Sequence, residues 1–346
     1  SPHATTIEAL TAMGDGGHDG AAVQLLSVSV DEVVQVWDTD TWSQVAVMPW
    51  SYQLYRRMAL FDRNGCGVPT HVVMPMFCSL MVSDMAGRCV AEWCAHTTSV
   101  SDIALVSGAD GRAAGRVLSA SSDKTVRVWD VGSGACLDVI HFSDGVKQLA
   151  VLDAGKSGSS VRFAAIVGPG FGYGPHVLHV KCLGQASTRI LGGAKRHAYE
   201  SVAAVGGGAS GCAPYLVSIF HDGTVQVWDW ERASCLHVFE ESVSWWRCAS
   251  WWPHPPIRSG RASGVLGSGK AAAVNYTDVA GGSASVFEDI AVLIDKSGAC
   301  ALVDCRQFTL RWLPGPPSAA SVCCLPDGRL AWGLRAGGVY GGQITL

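Results

Sequence analysis

This sequence predicts an all-β fold: a closed ring of seven small antiparallel sheets forming one domain. Three observations predict it. First, three segments share one pattern, SVSVDEVVQVWD from Ser27, SASSDKTVRVWD from Ser119 and SIFHDGTVQVWD from Ser218. In each, a Ser stands four residues before an Asp, and that Asp stands six before a Trp-Asp pair, giving Ser27/Asp31/Trp37, Ser119/Asp123/Trp129 and Ser218/Asp222/Trp228. Second, Trp129 lies 92 residues after Trp37 and Trp228 lies 99 after Trp129, close to two repeats each; a repeat of roughly 40–45 residues ending in Trp-Asp marks one four-stranded unit of a radial array. Third, Val126/Val128 and Val225/Val227 alternate with polar residues, as in strands. Turn residues bound these runs, and no stretch sustains a helical period.

In that register the chain divides into seven units, at about 3–48, 50–95, 96–140, 141–192, 197–239, 240–313 and 318–346. His3 and His96 precede matching strands, HATTIEAL and HTTSVSDIAL, and His197 opens the fifth unit. The second unit keeps Ser83-Asp84, 46 residues after Trp37 and 46 before Trp129. The fourth has strands near VRFAAIV and HVLHVKC, and the sixth has EDIAVLI, GACALVD and FTLRWL. The seventh has SVCCL, RLAWGLR and GVYGGQITL and stops short of an outer strand. That strand is expected from ahead of Ser1 or from a partner. A stretch at about 253–285 reads as a flexible insertion without strands, between the first two strands of unit six.

These residues resemble the WD-repeat family of β-propellers, over essentially the whole chain. The resemblance implies that the His, Ser, Asp and Trp of a blade form a buried hydrogen-bonded network, best represented by His96, Ser119, Asp123 and Trp129. Buried carboxylates and imidazoles are tolerable only when their polar atoms are paired, so such a network rigidifies a blade. The equivalent structural residues are Ser27, Asp31 and Trp37 in unit one and Ser218, Asp222 and Trp228 in unit five.

Composition narrows the function classes. A net charge of −4, from 25 Lys+Arg against 29 Asp+Glu, does not favour a grip on a phosphate backbone. The 13 cysteines are scattered without a CxxC pair, as expected of reduced thiols in a cytoplasmic or nuclear protein. No apolar run is long enough to span a membrane as a helix. The chain begins at Ser1 rather than Met, so a segment ahead of it, including a targeting segment, is allowed for.

Apparent chemical motifs reduce to structure. The Ser, His and Asp sets recur unit by unit, whereas a catalytic triad occurs once, and no GxSxG elbow is present. Gly264–Ala271 approaches a phosphate loop with Lys270 in place, but Ala271 stands where a magnesium-holding hydroxyl belongs and no helix pattern follows. The glycines of GPGFGYGPH (168–176) read as a long turn. Cys300 with Cys305, and Cys323 with Cys324, lack metal-ligand spacing. No cofactor, no metal and no catalytic residue is therefore expected.

The expected function is a non-catalytic scaffold that binds other proteins through loops on the ring's faces. Candidate contact residues on the side of the Asp-bearing turns are Ser122, Lys124, Phe171, Tyr173 and His221. On the opposite side they are Trp251, Trp252, Arg258 and Arg261. Trp245, Trp246, Trp251 and Trp252 crowd eight residues, more than one strand face needs, and suggest a covered insertion or a partner anchor. The main alternative is a non-catalytic subunit of an RNA-processing or RNA-modification complex, with RNA reached only within that larger assembly. A nucleotide-dependent enzyme acting through Lys270 is the remaining, weakest alternative.

Overall fold

Short runs of Val, Ile, Leu and Ala between turn residues form strands throughout, because alternate side chains can then face the neighbouring sheets. The computed structural model describes residues 5–13, 24–29, 33–49, 59–61, 70–94, 96–107, 114–153, 160–169, 176–193, 199–205, 215–220, 222–240, 261–262, 265–266, 271–273, 289–294, 300–313, 319–324 and 329–343. Among them there are seven antiparallel sheets and no helix.

Blade 1 comprises β1 Ile7–Met13, β2 Gln24–Ser29, β3 Val33–Asp38 and β4 Gln44–Pro49. Blade 2 comprises β5 Ala59–Phe61, β6 His71–Met76, β7 Ser79–Asp84 and β8 Cys89–Cys94. Blade 3 comprises β9 Val100–Ser107, β10 Ala114–Ser121, β11 Thr125–Asp130 and β12 Cys136–His141. Blade 4 comprises β13 Val146–Asp153, β14 Arg162–Val167, β15 Val177–Cys182 and β16 Thr188–Gly193. Blade 5 comprises β17 Tyr199–Val205, β18 Tyr215–Phe220, β19 Val225–Asp229 and β20 Ser234–Phe239.

The last two blades interleave in sequence. β21 Arg261–Ala262 and β22 Val265–Leu266 form a hairpin that joins blade 7, and β23 Ala271–Ala273 is the first strand of blade 6. Blade 6 continues with β24 Ile290–Ile294, β25 Cys300–Asp304 and β26 Thr309–Leu313. Blade 7 continues with β27 Ala319–Cys324, β28 Arg329–Leu334 and β29 Val339–Gln343. The hairpin pairs with β27 through Val265–Cys323 and Leu266–Val322, leaving β29 as the other edge of that sheet. Three short strands thus fall within 253–285, where the sequence pattern suggests none. Two- and three-residue runs between glycines carry no readable period.

The first strands of the blades pack against one another around the ring axis, and side chains there reach across to the next blade's backbone. Asp102 on β9 accepts the Leu149 N–H of blade 4 at 2.6 Å, and Ser101 donates to the Val146 carbonyl. Gln148 on β13 pairs with Val202 of blade 5, and Ser321 on β27 donates to the Ile7 carbonyl of blade 1 at 3.1 Å. Outside this inner ring, buried apolar clusters fill the gaps between blades. Trp129 of blade 3, for example, stacks at 5.7 Å on Trp93 of blade 2. Gly134 passes under the same Trp93 ring with φ of 73°, where a Cβ would fall 2.4 Å from the indole nitrogen.

Polar and aromatic contacts join blade 7 to blade 1. Arg329 donates to the Thr39 carbonyl at 2.6 Å and to Asp40 Oδ1 at 3.2 Å, and its guanidinium lies 5.8 Å from the Trp42 ring centre. Thr6 donates to the Arg335 carbonyl at 2.9 Å. Gly341 runs against Trp42 so closely that a Cβ would lie 1.7 Å from the ring. Arg162 of blade 4 sits over Trp230 of blade 5 in the same way, at 5.5 Å. The closing seam therefore reuses an internal one.

Candidate interaction surface

Blade 3 builds its buried network from four elements. His96 lies just before β9, Ser119 on β10, Asp123 in the turn between β10 and β11, and Trp129 at the end of β11. Trp129 Nε1 donates to Ser119 Oγ at 2.8 Å. Ser119 Oγ lies 2.7 Å from His96 Nε2, and His96 Nδ1 lies 2.8 Å from Asp123 Oδ2. An indole N–H can only donate, and an ionised carboxylate can only accept. The proton order follows: Trp129 donates to Ser119, Ser119 donates to Nε2, and the Nδ1 proton goes to Asp123. The Thr97 N–H at 3.0 Å and the Thr125 hydroxyl at 2.6 Å complete the Asp123 carboxylate.

Burial holds the His96 imidazole below the ordinary histidine range, outweighing the opposing pull of Asp123. His96 is therefore neutral at pH 7, and its contact with Asp123 is a neutral-to-charged hydrogen bond rather than an ion pair. Burial pushes the Asp123 carboxyl up, but hydrogen bonds from Thr125, Thr97 and His96 together hold it below the ordinary value. The spacing imitates a hydrolase triad. Yet Ser119 is 0% exposed and His96 6%, so no substrate carbonyl can approach the hydroxyl. The arrangement fixes a turn.

Blades 1 and 5 repeat the Trp–Ser bond, Trp37 to Ser27 at 2.6 Å and Trp228 to Ser218 at 2.9 Å. Asp222 caps the turn before β19 by accepting the Thr224 N–H at 2.9 Å, and Asp31 lies outside the described residues. The Asp of the Trp-Asp pair has a different task. Asp38, Asp130 and Asp229 each accept backbone N–H groups of the following turn, from Thr41, Ser133 and Arg232. Asp304 does the same for Gln307 in blade 6. Four residues after each Asp the backbone turns left-handed, at Trp42, Gly134, Ala233 and Phe308.

The turns between second and third strands gather on one side of the ring. Val100, at the start of β9, donates its N–H to the Phe77 carbonyl of blade 2 at 2.7 Å. Ser122 donates its N–H to the Ser99 carbonyl, and Phe142 donates to the Lys124 carbonyl. Phe77, Ser122, Lys124 and Ser143 therefore share this face across blades 2 to 4. Ser122 is half-buried and Lys124 exposed, its ammonium donating to the Ser143 carbonyl at 3.3 Å. Phe77 is 53% exposed and has a φ of 52°. A bulky residue in the left-handed region is a costly choice. Sequence reasoning passed over Phe77 because nothing in a Phe-Cys pair announces a left-handed turn.

Of the other candidate contact residues, Phe171, Tyr173, His221, Trp251, Trp252 and Arg258 lie outside the described residues. Arg261 opens β21, in the hairpin on the inner side of blade 7. Among the described residues no group of three or more His, Cys, Asp or Glu side chains could hold a metal ion.

Comparison with known proteins agrees with this architecture. The family model for the WD domain, G-beta repeat, matches residues 87–130, which run from the end of blade 2 through β11. No curated protein sequence matches the chain. Among solved structures, "Structure of U3-55K" aligns over 97% of this chain and 90% of its own, with a TM-score of 0.66 and 16% identity. "Crystal structure of RRP9 WD40 repeats" aligns over 97% and 89%, with a TM-score of 0.65 and 16% identity. With seven radially packed sheets, three of them bearing the Trp–Ser bond, this chain has the fold of a WD-repeat β-propeller, and residues 87–130 match the family's repeat.

Proposed function

We propose that this chain is a non-catalytic scaffold, a subunit of a multiprotein complex, which seats a partner protein on the face formed by the turns between second and third strands. One contrast carries the reading. The only hydrolase-like constellation among the described residues is sealed inside blade 3, while Phe77, in a left-handed turn on this face, leaves its aromatic side chain 53% exposed. Left-handed backbone at a bulky, exposed residue is found at ligand clamps and other functional sites, which supports a contact role for this turn. Aromatic side chains also dominate the energetics of protein interfaces.

Side chain-to-backbone links between blades support the platform role, since a rigid surface loses little entropy when a partner binds. Cys78, Cys89, Cys94, Cys136 and Cys235 are free and exposed, which supports work in the reducing cytoplasm or nucleus. Among the described residues no helix is long and apolar enough to cross a membrane. A net charge of −4 supports contact with RNA through partners rather than directly.

Affinity purification of the chain from its native cells, with and without nuclease treatment, tests the proposal. A reproducible set of proteins that survives nuclease supports it. A set that disappears with nuclease points to direct RNA attachment, and a chain recovered alone contradicts the scaffold reading.

A further inference from the structure

The turn that carries Phe77 also carries a thiol. Phe77 and Cys78 are the two residues between β6 and β7, and Met76 pairs with Ser79 across them. On the other side of β7, Ser79 pairs with Cys94, the last residue of β8. A residue that closes a two-residue turn directs its N–H and C=O to the strand across that turn. The Ser79–Cys94 pair is therefore the non-hydrogen-bonded kind, with Cα atoms about 4.5 Å apart and side chains at their closest. Cys78 stands one residue beyond that pair, which puts its Cα about 6 Å from that of Cys94. A disulfide spans Cα separations of about 4.4–6.8 Å.

The side chains at this corner agree with the register. Ser79 Oγ donates to Glu92 Oε1 at 2.6 Å, so Ser79, Glu92 and Cys94 share one face of blade 2. Cys78 and Cys94 are both free and exposed. Desolvation, then the adjacent Glu92, holds the Cys94 thiol above its ordinary range, and Cys78 adds to the same shift. Exposed thiols elsewhere are placed differently. Cys89, Cys136 and Cys235 lie at the start of β8, β12 and β20, and each donates to the carbonyl two residues on in its own strand. Cys89 is five residues from Cys94 along β8, about 17 Å away.

We propose that Cys78 and Cys94 form a reversible disulfide that pins the Phe77 turn to the end of β8. A hydroperoxide oxidises the Cys78 thiol to a sulfenic acid and is itself reduced to an alcohol or water. The Cys94 sulfur then attacks the sulfenic sulfur, the S–S bond forms, and the sulfenic oxygen leaves as water with the Cys94 proton. Two electrons pass from the thiols to the peroxide. Two equivalents of a small thiol, oxidised to its own disulfide, return the pair to its reduced form. A transient bond of this kind is compatible with a reducing compartment. The Phe77 carbonyl accepts the Val100 N–H at 2.7 Å, so the bond also steadies the link from blade 2 to blade 3. The device is independent of whether a protein partner sits on this face.

Residue-resolved mass spectrometry of the purified full chain tests it, after hydrogen peroxide and again after reduced glutathione. The expected result is a crosslink between the Cys78 and Cys94 peptides, short of two hydrogens, that glutathione reverses. It should be absent from Cys78→Ser and from Cys94→Ser, while Cys89, Cys136 and Cys235 stay unpaired. Hydrogen exchange of the Val100 amide should slow by about tenfold in the oxidised chain, because the closed loop opens less often. Thiols that resist peroxide, that oxidise singly to sulfinic acid or that pair with other cysteines overturn the proposal. So does a crosslink that glutathione cannot reverse, or one that leaves Val100 exchange unchanged.

Discussion

Gln148 holds Val202 of the neighbouring blade with both ends of its amide: Nε2 donates to the Val202 carbonyl at 2.9 Å, and Oε1 accepts the Val202 N–H at 3.1 Å. Gln148 and Val202 are both buried, so neither backbone group has water as an alternative. Gln148→Leu keeps the side chain's bulk and removes both partners, and should cost about 2–4 kcal/mol of stability. Urea denaturation checks this. A loss below about 1 kcal/mol would mean that the inner ring relaxes around the missing amide.

Ser119 stands at the centre of the blade 3 network, accepting from Trp129 and donating to His96. Ser119→Ala orphans an indole N–H and an imidazole nitrogen together, each within the core. The expected loss is about 2–4 kcal/mol. A Ser119→Ala/His96→Leu pair should cost less than the two single changes added, since the second removes a group the first left unpaired. Strict additivity would break the proposed chain of donors.

Acid should unfold the propeller in two stages. The folded His96 is depressed below the ordinary value of 6.5, so the unfolded chain takes up the proton first. Its contribution is complete above that value and declines as pH falls below it. Asp123 is held below 3.8, so its contribution is present above that value and is lost at lower pH. Burial also depresses His179, helped by Lys181, so a His96→Asn variant should flatten the upper stage only in part. Denaturation midpoints at about pH 7.5 and about pH 5.5 read this directly, and an unchanged slope in the variant would remove His96 from the account.

Arg329 is the main polar clasp between the first and last blades. Arg329→Ala loses hydrogen bonds to Thr39 and Asp40 and the contact with Trp42. Hydrogen exchange should rise in β1, β27 and β29 more than in β14 and β19. The matching Arg162→Ala change should act locally, because blades 4 and 5 remain joined by the chain. Uniform exchange in Arg329→Ala would show that the inner Ser321–Ile7 contact closes the ring unaided.

The regular blades were legible because Trp, Ser and Asp must recur at fixed spacing to make one bond and two turns. Register shows why the others were faint. The position of Trp129 opposite Val117 corresponds to Ser83 opposite Val72, Lys181 opposite Phe163 and Val303 opposite Ala291. Lys181 replaces the indole donor with an amine that bonds the Ala186 carbonyl and Thr188, a solution with no spacing signature. The first strand of blade 6 is three alanines, too short to show alternation. The role of the Trp-Asp carboxylate in capping the next turn was missed, although Asp before Thr, Ser or Gly is a recognised turn signal. Phe77 was invisible because the pairing of a left-handed turn with an exposed aromatic side chain leaves no spacing in the sequence.

Partner capture by Phe77→Gly tests the central claim most directly, because glycine adopts a φ of 52° freely. If the half-exposed ring serves recognition, removing it should change stability by no more than about 1 kcal/mol, while partner recovery falls sharply. If recovery stays at the wild-type level, partners do not use this face and the account of the turns as the binding surface is wrong.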